Sequence, residues 1–588
     1  MDFIELINID PILSSIFGLI VIILNYVFCY KLSLNHKLLN NEISNFILFN
    51  ILFYLVLSPI LLLFLLFKIE LIIIKILIYS LFIWQLFYIF KSPRINLIKF
   101  NYFNKIDYLI IFFLTLFTFS QVTDADSLDY HLGGAIEIIR NNGLVSRNDE
   151  WFHFRLIGLG EIINFYGLFF YSKNFGQLFQ VLAFSNVILI FKSVNKNSKL
   201  IYLILTSFPL FGSIILSAKQ LLIVTNCYLL AFLILLLNPQ VSKKIIFFIL
   251  VLIISPVGFK HSYLIYSLPI WIYLSFLFKN NINFFKYFKY SILIFLLIPF
   301  LVFFKNYIYF GDPISPFLEF LKQNPNNNVL NFANELRYSK KIFNIFEFLI
   351  IPFIHFIPKN LNEISLLLSP AILSIYFIFF FQKNRNLSIL LIIIYCFLFF
   401  SGKSQSRYFL DLYLLSSLIL LFNFKHTKFY KNITYISLSF IPYSLLTIGI
   451  IMYSIVTLTY PSINKNNFEK VMSLKAHDYE IIKWINENIN ENEKVLYDKT
   501  IRSKTYQNHD FVNYDLPSKS KIELKKIIEN SKIDKIVLSK KNFDLKFRKD
   551  YNCKITHKKP LSRATRNPIN SKKNIANIYI LDSRCLRW

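Results

Sequence analysis

Residues 106–120, Ile106-Asp-Tyr-Leu-Ile-Ile-Phe-Phe-Leu-Thr-Leu-Phe-Thr-Phe-Ser120, run without a break into Gln121-Val-Thr-Asp124-Ala-Asp126-Ser-Leu-Asp129-Tyr130-His131-Leu-Gly-Gly134. The first stretch is apolar enough to enter hydrocarbon. The second sets three carboxylates within six residues at its edge. Carboxylates at a membrane edge are costly unless they are solvated, paired or functional. The junction therefore marks a membrane surface, and it marks the side of that surface on which to look for chemistry. On a helical reading, Asp126 and Tyr130 share a face at i,i+4, and Asp126 and Asp129 share one at i,i+3. Such a face offers one carboxylate as a general base and others to hold a cation or a sugar hydroxyl. The competing reading is that Asp124 or Asp126 caps the following helix, whose run Ala135-Ile-Glu-Ile-Ile139 has helical character.

The same alternation of apolar run and polar edge extends over the whole chain of 588 residues. Mean hydropathy is +0.51 and 16% of residues are charged, against about 25% in soluble proteins. An ordinary soluble enzyme, a disordered tail and a fibrous repeat are excluded. Phe (66) and Tyr (35) are abundant beside many Ile, Asn and Lys. That skew reads as AT-rich coding plus lipid contact, with no aromatic cage implied. A span needs roughly 20 apolar residues. Spans are expected near 10–30, 45–67, 71–90, 106–120, 175–192, 200–217, 221–238, 245–258, 263–278, 288–304, 364–381, 387–400, 409–423 and 433–458, about fourteen in all. The first run lacks a basic leader and reads as a span rather than a cleavable signal.

Net charge is 63 − 34 = +29, and the hydropathy assigns that excess to the flanks of spans. Lys31 with Lys37, Lys91 with Arg94, Lys99 and Lys105, Lys192 with Lys196 and Lys199, Lys243 with Lys244, Lys279 with Lys286, Lys383 with Arg385, and Lys425 with Lys428 and Lys431 fall in alternate loops. Placing them in the cytoplasm gives one consistent alternation. The N-terminus, loops 121–174 and 305–363, and everything after about 459 then lie outside. Stretch 342–357 is read as interfacial, because Pro352, His355 and Pro358 interrupt it. From about 464 the composition turns polar. A helix at 479–489, strands at 494–498, 534–538 and 577–581, and a capping box Ser520-x-x-Glu523 opening a helix through Ile528 predict a small α/β domain over 464–588. Of the five cysteines, none lies in a CxxC or Cys/His pattern, so zinc and redox readings fall away. Cys553 and Cys585 share the polar tail and are candidates for a pair, which spacing alone does not establish.

At this point the sequence resembles a family. The order Asp126-Ser-Leu-Asp-Tyr130-His131, Gly143-Leu, then Glu161 at the head of an apolar run is similar to the first outer loop of GT-C glycosyltransferases. Ser217-Ala-Lys219, Gly258-Phe-Lys260-His-Ser, Lys305-Asn-Tyr-Ile-Tyr-Phe-Gly311-Asp312-Pro313-Ile-Ser-Pro316 and Ser406-Arg407-Tyr408 resemble further outer motifs of that family. Ser127 stands where many relatives carry Glu, Lys305 replaces an Arg, and Asp312 replaces an Asn. The resemblance implies an α-helical polytopic membrane protein with a GT-C-like core over 106–460, additional helices over 1–105 and the α/β domain outside. It implies a glycosyltransferase, hexosyl or pentosyl, in the bacterial plasma membrane. The donor would be a polyprenyl-phosphate sugar and the acceptor a glycan, lipid or protein of the cell envelope.

The roles follow from that chemistry. Asp126 is expected as base, with Asp129 and Asp124 beside it. Lys219, Lys260, Lys305 and Arg407 are expected as the clamp on the donor phosphate, and Tyr130, His131 and Glu161 as substrate contacts. No cofactor is certain; Mg or Mn held by Asp149 and Glu150 is the metal option. An O-antigen polymerase or ligase is the alternative enzyme, and a lipid-linked oligosaccharide flippase the alternative class. A flippase expects charges along a path through the spans and internal repeats, whereas these charges gather at one face. Nucleic acid is not an expected partner, since the tail's lysines are scattered among acids.

Overall fold

Polar residues at the ends of the apolar runs start the helices. Asp10 accepts from the amides of Ile12 and Leu13 to open Pro11–Asn35. Asn41 caps Glu42–Leu66, and Asn104 with Asp107 forms a reciprocal capping box at the head of Lys105–Thr118. The coordinates are a computed structural model. It describes residues 10–91, 102–144, 151–195, 198–238, 241–323, 345–358, 361–377, 385–401, 405–424, 439–463, 465–498, 503–514, 520–555, 557–564 and 573–587, with a few residues between these stretches.

Among the described residues, five helices are long and apolar enough to cross a membrane: Pro11–Asn35, Glu42–Leu66, Leu71–Lys91, Phe175–Val194 and Ile441–Ser462. Phe284–Leu297 and Pro299–Phe310, bent by 50°, would make a sixth. The chain is thus an integral membrane protein, and the expected fourteen spans are not confirmed among the described residues. The reason is local. The run at 200–217 splits at Ser207-Phe-Pro209 into Ser198–Thr206 and Leu210–Ile215. The run at 245–258 breaks where Pro256 starts a new turn. At 364–381 the described part holds short turns, Leu361–Leu366, Pro370–Leu373 and Ser374–Phe377. Ile345–Phe356 has 12 residues. That is about 18 Å of described helix, against roughly 30 Å of hydrocarbon.

Phe175–Val194 is enclosed by its neighbours, whereas Leu71–Lys91 keeps most of its surface outward. An apolar helix with an open face is a lipid-facing one. Asn174, buried at the head of Phe175–Val194, donates to the carbonyls of Thr118 (2.9 Å) and Ser120 (2.8 Å). These are orphan acceptors at the end of Lys105–Thr118. Their capture fixes where the chain leaves that helix and enters the acidic segment.

The C-terminal domain carries a five-stranded mixed sheet in the order β2-β1-β3-β5-β4. The strands are β1 Val495–Asp498, β2 Phe511–Tyr514, β3 Lys535–Ser539, β4 His557–Ala564 and β5 Lys573–Asp582. The first three are parallel, and β5 runs antiparallel to both β3 and β4. Strand alternation divides the sheet's residues between two cores. Val495, Tyr497, Val537, Ile578 and Ile580 join the core that continues into the membrane helices. Leu496, Ile536, Leu538 and Leu581 pack with Leu524 and Phe547 in a second core. The capping box at Ser520 and Glu523 forms as expected and opens Lys521–Asn530. Cys553 and Cys585 are bonded, with Cα atoms 5.6 Å apart.

Candidate functional site

The acidic segment does not continue as an α-helix. Ser127–His131 is a π turn, in which the Leu132 amide reaches back to the Ser127 carbonyl. Such single wide turns recur at functional sites. The wider turn rotates residues three apart off one another while residues four apart still overlie. Asp126 and Tyr130 therefore stay together, and Asp129 leaves them. Gly133 permits the turn, since a Cβ there would lie 2.7 Å from the Leu128 carbonyl.

Asp129 is fully buried and faces the other way. Trp151 Nε1 donates to it at 3.2 Å, and His153 Nδ1 stands 3.1 Å from it. The expected face shared by Asp126 and Asp129 is thus corrected: Asp129 holds the returning chain at 151–153. Asp124 accepts from the Ser127 amide (3.0 Å) and hydroxyl (2.8 Å), which is the capping reading. Its carboxylate also meets Lys219 Nζ at 3.1 Å. Asp126 stands 3.2 Å from the same ammonium and 3.7 Å from an Arg407 guanidinium nitrogen. A loop far along the chain is latched here, because the Ala218 amide donates to Ser127 Oγ at 3.0 Å.

These contacts rim a cleft lined by Tyr130, His131, Glu161, Lys219, Lys260, Tyr263, Tyr266, Arg407, Tyr408 and Asp411, among others. Three cations from three separate loops meet there. Burial works against the Lys219 ammonium, but Asp124 and Asp126 outweigh it and hold its pKa above the ordinary value. Lys260 behaves oppositely. Burial lowers its pKa, and the charges of Arg407 and Lys219 lower it further. Lys260 makes no ion pair among the described residues; its ammonium lies 5.7 Å from the centroid of the Tyr408 ring. The Arg407 guanidinium covers the same ring, and its buried Nε has no hydrogen-bond partner among the described residues. Three cations thus share the cleft with two rim carboxylates, while Glu161 is tied to His131 and the Gly158 amide and Asp411 to Thr225; cations gathered this way suit an anionic group.

A buried pair also lines the cleft. His131 Nδ1 lies 2.5 Å from Glu161 Oε1, and Glu161 Oε2 accepts from the Gly158 amide at 2.6 Å. Gly158 is fitted under the loop that carries Lys260, since a Cβ there would lie 2.6 Å from the Phe259 carbonyl. Burial lowers the His131 pKa, against the opposing pull of Glu161.

Of the expected residues, the structure brings together Asp124, Asp126, Tyr130, His131, Glu161, Lys219, Lys260 and Arg407. Lys305 stays out of the cleft. It lies buried on Pro299–Phe310 and donates to the Ile157 carbonyl at 2.5 Å, so it holds a loop instead of a ligand. Asp149 and Glu150 fall outside the described residues. Among the described residues no group of three or more His, Cys, Asp or Glu could hold a metal ion, and Asp124 and Asp126 are already engaged by Lys219. The metal option at Asp149 and Glu150 lies outside the described residues, and no step below runs through a metal. Sequence reasoning missed Asp411, which lines the cleft and accepts from the Thr225 hydroxyl. It is the acidic residue within the apolar run Leu410–Phe424, a placement that marks a functional candidate by itself.

No curated protein sequence matches the chain. Two crystal structures of ArnT from Cupriavidus metallidurans, one bound to undecaprenyl phosphate and one in the apo state, are similar to it. Each is 11% identical, with 82% of this chain and 97% of the other covered and a TM-score of 0.47. The DUF1420 N-terminal domain matches residues 65–472, a stretch that contains every cleft residue named above, and the chain belongs to that family.

Proposed function

We propose that the cleft transfers a sugar from a polyprenyl-phosphate donor to an acceptor hydroxyl, as a membrane glycosyltransferase of the GT-C type. The observation that carries this reading is the meeting of Lys219, Lys260 and Arg407 at one buried cleft beside Tyr130 and Asp126. Transfer releases a lipid phosphate whose negative charge grows as the sugar–oxygen bond breaks. Preplaced cations in a site shielded from water stabilise that charge far more than solvent does. Arg407 suits it best, because a guanidinium can give a phosphate two parallel hydrogen bonds. Asp126 then serves as the counter-ion that aims Lys219 and Arg407, which matches its distances better than the role of base. The acceptor is a glycan, lipid or protein of the bacterial envelope, and the cleft opens on the outer face.

The test is donor turnover by the purified chain in detergent, with undecaprenyl phosphates carrying glucose, mannose, arabinose or N-acetylglucosamine. Undecaprenyl phosphate, the lipid in one of the ArnT crystals, serves as the binding probe. Arg407→Ala should cut turnover by about 10²–10³-fold, the scale for removing one preorganised donor at a developing charge. Arg407→Lys should recover part of it. Turnover unchanged by Arg407→Ala, in protein that is folded and monodisperse, would remove the clamp and with it this reading.

A further inference from the structure

The reaction needs a group to take the acceptor's proton, and the cleft holds a better one than Asp126. We infer that His131 is the general base of the transfer and that Glu161 is its positioning residue. The inference rests on the glycosyltransferase reading above and goes beyond it.

The argument begins with geometry. Both side chains line the cleft that holds the three cations. The imidazole is tied at one nitrogen only, Nδ1, which lies 2.5 Å from Glu161 Oε1. Nε2 has no hydrogen-bond partner among the described residues, yet it is not among the buried unpartnered atoms. It is therefore the nitrogen that opens on the cleft. Glu161 cannot swing, because its second oxygen is held by the Gly158 amide at 2.6 Å and it lies in the first turn of Leu159–Leu168. The Asn164 side chain donates to the His131 carbonyl at 3.0 Å and to the Ala218 carbonyl at 2.9 Å. That bond fixes the imidazole's backbone to the loop carrying Lys219. An acid that orients one imidazole nitrogen and leaves the other facing a substrate is the arrangement by which a histidine becomes a base.

Electrostatics agree. The charged and titratable groups facing His131 are Glu161, Lys219, Lys260 and the phenol of Tyr130. Burial and the two ammonium groups favour the neutral ring, and Glu161 favours the cation. The ring thus waits neutral, with a carboxylate in place to stabilise the imidazolium once it forms. Asp126 has no such freedom, being 3.2 Å from one cation and 3.7 Å from another.

The step balances as follows. The acceptor oxygen bonds to the anomeric carbon, and its hydroxyl proton passes to His131 Nε2. The bond between that carbon and the phosphate oxygen breaks, and its electron pair stays on the phosphate. The lipid phosphate leaves against Arg407, Lys219 and Lys260, and the imidazolium later loses its proton to water.

Three variants test this with the full-length chain in detergent. His131→Gln removes the base but keeps a group able to bond Glu161. It should bind undecaprenyl phosphate within about twofold of wild type and lose about 10²–10⁴-fold in turnover, the span for a general base. The wild-type rate should rise with pH through one ionisation as the imidazole is freed of its proton, and His131→Gln should abolish that limb. His131→Ala should regain turnover when free imidazole is added, which a merely structural histidine would not show. Glu161→Gln should shift the pH limb and lower kcat more than it raises KM. Wild-type turnover in His131→Gln overturns the assignment. So does a loss matched by equal loss of undecaprenyl phosphate binding, or a pH limb that survives. Should wild type neither bind the lipid nor turn over any donor, the glycosyltransferase reading falls first and the base with it.

Discussion

The two ends of helix Lys105–Thr118 carry the same kinds of side chain and do opposite things with them. At the head, Asp107 is fully buried, Lys192 donates to it at 2.5 Å, and Tyr202 and the Asn104 amide approach it at 2.7 and 2.6 Å. Lys192 also donates to the Tyr102 carbonyl at 2.9 Å. One acid meets one base, and the lone pairs and protons around them are used. Some 20 Å away, at the other end of the helix, Asp124 and Asp126 meet Lys219 and Arg407, and Lys260 adds a charge without an acid of its own. The first cluster is closed and can only hold helices together. The second keeps one cation, Lys260, outside its ion pairs among the described residues and faces a cleft. Charge within a membrane protein is not itself a sign of a site; the sign is charge left over after the local pairing is complete.

The largest effect expected from this contrast is on stability, at the closed end. Asp107→Ala strands the Lys192 ammonium, and removing one partner of a buried pair costs about 3–5 kcal/mol. Thermal unfolding in detergent should show it, while turnover per folded molecule stays close to wild type. The double variant Asp107→Leu with Lys192→Met should regain most of the loss. If Asp107→Ala instead cuts turnover and leaves the unfolding temperature alone, the closed cluster is a site and the distinction drawn above is wrong.

Next in size is a test of sidedness. A disulfide persists where the compartment oxidises thiols, so the Cys553–Cys585 bond favours an outer C-terminal domain. That domain touches the cleft end of the helix, through Arg140 and the Gln507 carbonyl (2.5 Å) and through the rings of Trp151 and Phe511. The bond closes a loop with a sequence separation of 32, worth about 3–4 kcal/mol on a loop-entropy scale. Cys585→Ser should lower the domain's unfolding temperature accordingly. In spheroplasts, a membrane-impermeant maleimide should label the thiol freed at Cys553. Labelling that requires broken membranes would put the cleft end in the cytoplasm.

Much of this contrast could be read in the sequence, because it depends on composition at run ends. Lys219, Lys260 and Arg407 are polar interruptions between apolar runs, and sidedness alone gathers them. What failed depends on direction within an element. Lys305 sits in a similar sequence position, but its helix turns it toward the Ile157 carbonyl. Asp129 was misplaced because a π turn cannot be told from an α turn by spacing. Asp411 was passed over because a single acid barely dents the hydropathy of its run. In the domain, β1, β3 and β5 were legible as β-branched and aromatic runs. The edge strand β4 was not, since its Lys558, Lys559 and Pro560 are what keeps an edge from pairing further. β2 is no shorter than β1, and its Phe511-Val-Asn-Tyr514 run was passed over although it has the same β-branched and aromatic character.

The smallest effect separates the two ends most finely. In an α-helix the Leu128 carbonyl would accept from the Leu132 amide, but here that amide goes to Ser127. The buried hydroxyl of Thr505 donates to Leu128 instead, at 2.7 Å. The C-terminal domain thus caps the π turn that aims Asp126 and Tyr130 in one direction and Asp129 in the other. Thr505→Val keeps the shape and removes the donor, at a cost of about 1 kcal/mol. The Arg140 bond to Gln507 remains, so the domain should stay docked. Hydrogen exchange should quicken at the amides of 127–133 and stay unchanged at 105–112. Turnover should fall by a few-fold at most, with the binding of undecaprenyl phosphate preserved, because the cations come from other loops. Equal loss of protection at both ends would mean that the helix and its two clusters open as one unit, so that a closed cluster and an open one differ in charge balance but not in independence.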